Sequence, residues 1–176
     1  MKLHLGCGNK HIPGFVHVDV ENYPHVDFRE PVDVLTFAQD NSVELIYASH
    51  VLEHFGRHQV DRVLREWFRV LQKGGILRLA VPDFETIVLR YQETRDLNEV
   101  LGLVCGGQRD EHDFHKMIFD EESLRERLRL VGFSSVSKYD WRKTEHSWLD
   151  DYSQAYLPHM DKQNGRLMSL NVEAVK

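Results

Sequence analysis

Two stretches of the sequence gather residues able to do chemistry. In His50-Val51-Leu52-Glu53-His54 a carboxylate and two imidazoles fall at i, i+3 and i+4, a spacing that on a helix turns all three to one face. Imidazole exchanges a proton near neutrality, so His54 in such a trio can serve as a general base; the plainer alternative is a polar pocket wall or a helix start. The other stretch is Leu3-His4-Leu5-Gly6-Cys7-Gly8-Asn9, two glycines directly after a short apolar run. Glycine removes the Cβ that would keep a ligand off the main chain, although a glycine pair also serves simply as a turn. Asp19 closes the next apolar run, and in nucleotide-binding α/β folds an acid there accepts hydrogen bonds from ribose hydroxyls. Glycine turn and acid together predict a nucleoside-type site.

These residues need a frame, and the patterning supplies one. KLHL (2–5), FVHVDV (15–20), ELIYAS (44–49) and GILRLAV (75–81) read as strands, the last stopped by Pro82. From 58 to 71 the residues Val60, Val63, Leu64, Trp67, Phe68 and Leu71 recur with the period of an amphipathic helix, which Gly74-Gly75 is expected to end. Residues 84–91 suggest a further helix. Asp120 is an N-cap candidate for a helix through Val131, with Glu121 and Glu122 in its first turn and Gly132 beyond it. FSSVSKY (133–139) and RLMSLNVEAV (166–175) read as closing strands. Strands alternating with helices predict an α/β fold on a mainly parallel sheet, one domain over residues 1–176, with ligands at the C-terminal edge of the strands. The link from Gly6 to Gly14 is too short for the usual helical crossover.

Composition narrows the partners. Twenty-two Lys and Arg against 28 Asp and Glu leave a net charge of −6, which lacks the positive field of nonspecific phosphate binding and disfavours nucleic acid; Arg125, Arg127 and Arg129 read as a solvated helix face. Cys7 and Cys105 form neither a metal pair nor a disulfide framework, as expected of a reducing, cytoplasmic setting. No apolar run reaches the ~20 residues of a membrane span, so no membrane partner is expected.

At this point the residues carry a resemblance. LHLGCGN, VDV, DNSVELIYASHVLEHF, EWFRVLQKGGILRLAVPDFE and LRLVGF together resemble the class I S-adenosylmethionine-dependent methyltransferases over almost the whole length. The resemblance implies a Rossmann-like seven-stranded sheet with an antiparallel last strand, here with its N-terminal helices trimmed. It implies S-adenosylmethionine as cofactor, seated by Gly6, Cys7, Gly8, Asp19, Asp33, Val34 and Ser49, with Asp27 competing for the place of Asp33. The family's further glycine is Lys10 here, and the acid it often carries two residues before the first glycine is His4. H-x-x-E-H is also similar to the E-x-x-E-H of small-RNA 2′-O-methyltransferases and ubiquinone-pathway O-methyltransferases, whose side chains hold a divalent metal beside the acceptor oxygen. In the RNA enzymes a further histidine follows, in a context similar to DFHKMIFDEESL, which points to His115. His50, Glu53, His54 and His115 thus become the catalytic candidates, with a divalent cation as an open option that would suit Zn, Mn or Fe better than Mg. The other histidines, His11, His17, His25 and His58, are expected at the surface.

Residues 140–165 hold Trp141, His146, Trp148, Tyr152, Tyr156 and His159. A long aromatic loop in a compact domain reads as a lid or acceptor wall, or as anchors that pin a loop or fill a homo-oligomer interface. The function expected from all of this is methyl transfer to a hydroxyl of a small-molecule or glycan acceptor. The alternative from another class is a catalytically inactive methyltransferase-fold scaffold. A nicotinamide-dependent oxidoreductase is disfavoured because His11 stands where the third glycine of G-x-G-x-x-G belongs.

Overall fold

A computed structural model describes residues 1–176. Its strands are β1 (Lys2–Leu5), β2 (Val16–Asp19), β3 (Phe28–Arg29), β4 (Val43–Ser49), β5 (Leu71–Pro82), β6 (Ser135–Lys138), β7 (Tyr156–Leu157), β8 (Arg166–Leu167) and β9 (Ser169–Val175). Seven of them form one sheet in the order β3-β2-β1-β4-β5-β9-β6, parallel throughout except for β9, which is antiparallel to both β5 and β6. This is the Rossmann-like methyltransferase sheet. β7 and β8 pair as a separate ribbon. The helices are α1 (Val60–Val70), α2 (Phe84–Thr94), α3 (Leu97–Cys105) and α4 (Glu121–Val131). No helix lies in the connections β1–β2, β2–β3 or β3–β4, so the N-terminal helices are indeed trimmed. No helix is long and apolar enough to cross a membrane.

Two local expectations are corrected. α1 does not end at Gly74-Gly75: the backbone turns extended at Leu71 (φ −62°, ψ 136°) and runs straight into β5. The glycines instead absorb a register shift between Val43↔Leu71 and Leu45↔Ile76, where a Cβ on Gly75 would stand 3.0 Å from Val43 O. α3 escaped the sequence reading because it is short and carries Gly102 in its interior; Asp96 caps it. α4 matches expectation, its Asp120 and Ser123 forming a reciprocal capping box.

Strand alternation gives the sheet two unlike faces. Leu3, Leu5, Val18, Ile46, Ala48, Leu77 and Leu79 pack with Val63, Leu64 and Trp67 of α1 and Leu124 and Leu128 of α4 in one large apolar core. Register places His17, His4, Tyr47, Arg78 and Glu173 side by side across five strands on the other face. Where the missing helices would have lain, the chain from 140 to 155 crosses this polar row as a strap. Arg78 binds Glu145 (2.6 Å) and Glu173 (2.8 Å), Tyr47 Oη donates to Asp151 (2.5 Å), and the His146 ring lies 4.2 Å from that of Tyr47. Leu149 joins Ile12, Phe15, Leu45 and Tyr47 in a second small core. His17, expected at the surface, is buried here and accepts the Ile12 N–H on Nε2 at 2.9 Å.

Burial, with His17 and His146 as neighbours, holds His4 down to about 3; burial and then Arg78 hold His146 down to about 4. Below the ordinary value of 6.5 the unfolded chain therefore takes protons that the folded strap refuses. Stability should fall as pH drops from about 6.5 towards 4, by about 1.4 kcal/mol per pH unit for each histidine involved. Thermal unfolding followed across this window checks it, and His146→Gln should flatten the slope; an unaltered slope would remove His146 as a cause.

Candidate active site

The candidate residues collect at the C-terminal ends of β1, β2 and β4. Gly6 and Gly8 both take left-handed backbone (φ +59° and +52°), but for different reasons. A Cβ on Gly6 would stand 2.5 Å from Val51 Cγ2, so the protein's own side chain requires the bare backbone there; around Gly8 nothing lies within 4 Å of the same position. The open approach is therefore over Gly8. Asp19, nearly buried, turns toward this loop: Oδ2 accepts the Gly8 N–H at 2.7 Å and Oδ1 the Glu21 N–H at 2.9 Å. The Cys7 thiol lies 3.8 Å from His25 Nε2, and burial with the charge of Asp19 pushes it up to about 12, which keeps it an unreactive neutral thiol. Beyond β3, Asp33 is tied to Arg62 at 2.7 Å while Val34 is exposed; Asp27 accepts the His17 N–H at 2.8 Å. Ser49 ends β4 with its Oγ buried and unpartnered.

His50, Glu53 and His54 do not share a helix face. His50 takes left-handed backbone (φ +54°), unusual for a residue with a side chain, and one 3-10 turn over Leu52–His54 follows it. The geometry nevertheless brings Glu53, His54 and His115 together: one ligand atom from each lies within 4.8 Å of the others. His115 comes from the loop after α3. Its N–H bonds back to Cys105 O, and left-handed Gly106 (φ +79°) permits the reversal, because a Cβ there would collide with Asp113 O.

The hydrogen-bond pattern fixes which nitrogens face the cluster. His54 Nδ1 lies 3.1 Å from Phe114 O and His115 Nδ1 2.9 Å from Leu103 O. A carbonyl only accepts, so both rings carry hydrogen on Nδ1 and leave the Nε2 lone pair free. Glu53 is fully buried, and neither carboxylate oxygen receives an aligned hydrogen bond. His50 Nδ1 stands 3.1 Å from Oε1, close but off the line of a good bond, and His115 Nε2 is 3.9 Å away. Burial pushes the Glu53 carboxyl up, but His50 and His54 outweigh it and hold it below the usual range; burial lowers His115. His50 stands behind Glu53, outside the trio, with Nε2 on Ser169 Oγ at 3.2 Å. Ser169 and its neighbour Asn171 were missed by sequence reasoning; their signal was polar alternation through Ser169, Asn171 and Glu173 in β9. A surface groove of about 720 Å³ between α2 and α4 is lined by none of these residues.

Residues 8–79 match a family model described as a methyltransferase domain. No curated protein matches the sequence at a significant level. Among solved structures the chain is similar to an S-adenosylmethionine-dependent methyltransferase from Archaeoglobus fulgidus (14% identity, TM-score 0.60, 99% of this chain and 85% of that one). It is similar also to one from Thermotoga maritima (15%, 0.59, 99% and 81%). A third is the Burkholderia thailandensis 1,6-didemethyltoxoflavin-N1-methyltransferase with its acceptor and S-adenosylhomocysteine bound (15%, 0.59, 99% and 70%). The sheet order and the matched segment agree with these structures in fold: the chain has the Rossmann-like methyltransferase fold, and its residues 8–79 are similar to the methyltransferase domain.

The two glycines should respond differently. Gly6→Ala should destabilise the fold by about 1 to 3 kcal/mol through overpacking against Val51 and loss of left-handed freedom. Gly8→Ala, free of the clash, should cost less stability and act mainly on cofactor affinity. Chemical denaturation alongside calorimetric titration of S-adenosylhomocysteine separates the two; equal losses of stability would contradict the distinction.

Proposed function

We propose that this chain transfers the methyl group of S-adenosylmethionine to a hydroxyl of a small-molecule or glycan acceptor at the edge bounded by Gly8, Asp19, Glu53, His54 and His115. The observation that carries the reading is two imidazoles with free Nε2 lone pairs, converging with a buried carboxylate that lacks an aligned donor. The cofactor supplies an electrophilic methyl on a sulfonium, so the protein's own work is placement, exclusion of water and removal of one proton. Gly6, Cys7 and Gly8 offer backbone at the open turn. Asp19 keeps a second lone pair on each oxygen for ribose hydroxyls, we assign the adenine end to exposed Val34 and to Asp33, and Ser49 offers an unpartnered hydroxyl. His54 or His115 takes the acceptor proton on Nε2, and the carboxylate of Glu53 stabilises the imidazolium that results.

The same trio fits a divalent cation. Two imidazoles and one carboxylate are a set suited to Zn, Mn or Fe, and the carbonyl partners of Nδ1 are the supports that ligating histidines have. Such an ion would polarise the acceptor hydroxyl and lower its pKa. Free Cys7 and Cys105 fit a reducing compartment, and we place the protein in the cytoplasm.

Titration calorimetry with S-adenosylmethionine tests the first half. Saturable binding is expected, weakened about 1.5 to 3 kcal/mol by Asp19→Ala, roughly 10- to 150-fold. Absence of binding at millimolar cofactor would favour a scaffold. For the cation, Co(II) added to metal-free protein should develop visible d–d absorption that His54→Ala and His115→Ala each abolish. Spectra identical in wild type and both variants would remove the trio as ligands.

A further inference from the structure

The turn Asp151–Gln154 in the strap is held from several sides, although its second residue is exposed. The Asp151 carboxylate accepts from Tyr47 Oη (2.5 Å), Ser153 N–H (2.9 Å) and Ser153 Oγ (2.6 Å). Gln154 Nε2 donates to Ser147 O (3.1 Å) and Leu149 O (2.7 Å), and Ser153 O accepts from Asn171 Nδ2 at 2.8 Å. Tyr152 is 62% exposed, its ring centroid 5.3 Å from that of His50. An aromatic ring in water on a backbone fixed this firmly, next to a cluster of imidazoles, is placed to touch a ligand.

From Ser153 O the hydrogen bonds run in one direction only. A carbonyl cannot donate, so Asn171 turns its nitrogen to Ser153 and its Oδ1 to Ser169 Oγ, 2.9 Å away. Oδ1 cannot donate either, so Ser169 gives its single hydrogen to Asn171; Val81 O, at 3.4 Å, is the poorer acceptor. Ser169 Oγ can then only receive from His50 Nε2 at 3.2 Å. His50 therefore presents an N–H to Ser169 and sets Nδ1 3.1 Å from Glu53 Oε1. Glu53, His50, Ser169, Asn171 and Ser153 are buried side chains, so water does not substitute for a missing link. The left-handed backbone of His50 is the strained element this chain holds in place.

We infer that the turn Asp151–Gln154 is a positioning element of the active site: it acts on Glu53 through Asn171, Ser169 and His50, and it sets Tyr152 as the outer wall of the acceptor pocket. The inference rests on the reading of this site as the place of methyl transfer. Asn171 and Ser169 are positioning residues, remote from the reacting atoms.

The experiment is two-bond ¹H–¹⁵N correlation of the histidine rings, with amide hydrogen exchange, on wild type, Ser169→Ala and Ser169→Thr. In wild type His50 should show a hydrogen on Nε2. Ser169→Ala should erase that signature and speed exchange at the Ser153 and Gln154 amides about tenfold or more, while β5 amides stay unchanged and Ser169→Thr restores both. A bare His50 Nε2 in wild type, or strap exchange unmoved by Ser169→Ala, overturns the coupling. S-adenosylhomocysteine affinity should stay within about twofold in all three proteins, since its seat is the glycine turn. A wild-type protein that shows the coupling yet binds no S-adenosylhomocysteine overturns the catalytic assignment and leaves only a structural network.

Discussion

A carboxylate sealed from water at Glu53 is the constraint around which this molecule is arranged. Removing an ion of that size from solvent costs several kcal/mol even after the surroundings relax, and full alignment of donors would normally offset it. Here no donor is fully aligned, and three imidazoles surround the group instead. Each ring has its other nitrogen committed: His54 to Phe114 O, His115 to Leu103 O, and His50 to Ser169. The neighbourhood of one carboxylate thus draws on the turn after β4, the loop after α3, and β9.

The economy at the amino end explains the polarity of the rest. With no helices in the first three connections, the sheet has a face that an ordinary α/β domain would bury under apolar side chains. This chain instead sets a row of polar residues in register across it and closes it with a strap whose contacts are largely hydrogen bonds and ion pairs. Such a cover is directional in a way an apolar one is not. A polar strap has one register over the row, and slippage leaves buried groups unpaired. The cost is visible in His4 and His146, each buried with an unpartnered Nδ1.

Much of the frame was legible because it follows local rules. Alternating β-formers gave the strands, and Asp120 with Gly132 bounded α4 as capping chemistry dictates. The candidate cluster was legible in which residues it groups more than in how they meet. His50, Glu53 and His54 were grouped by helical spacing, yet a left-handed His50 and a single 3-10 turn bring about the meeting and leave His50 behind the carboxylate. His115 lies about sixty residues downstream, and no local pattern links it to Glu53; only the resemblance pointed there. His17 was misplaced because a histidine between two valines in a strand reads the same whether its face meets solvent or a strap from far along the chain.

The bare backbone near the amino end serves two masters, and they can be told apart. Gly6 is bare for Val51, the residue between His50 and Leu52, so the first glycine locks the glycine turn to the turn that carries Glu53. Gly8 is bare toward open space, and its N–H is already held by Asp19. A loop fixed by its own carboxylate before any ligand arrives loses little entropy on binding, and that rigidity can replace part of what an absent helix N-terminus would have contributed. The trimmed amino end and the braced turn are therefore two aspects of one solution: with the helix gone, Asp19 holds the turn in shape from within.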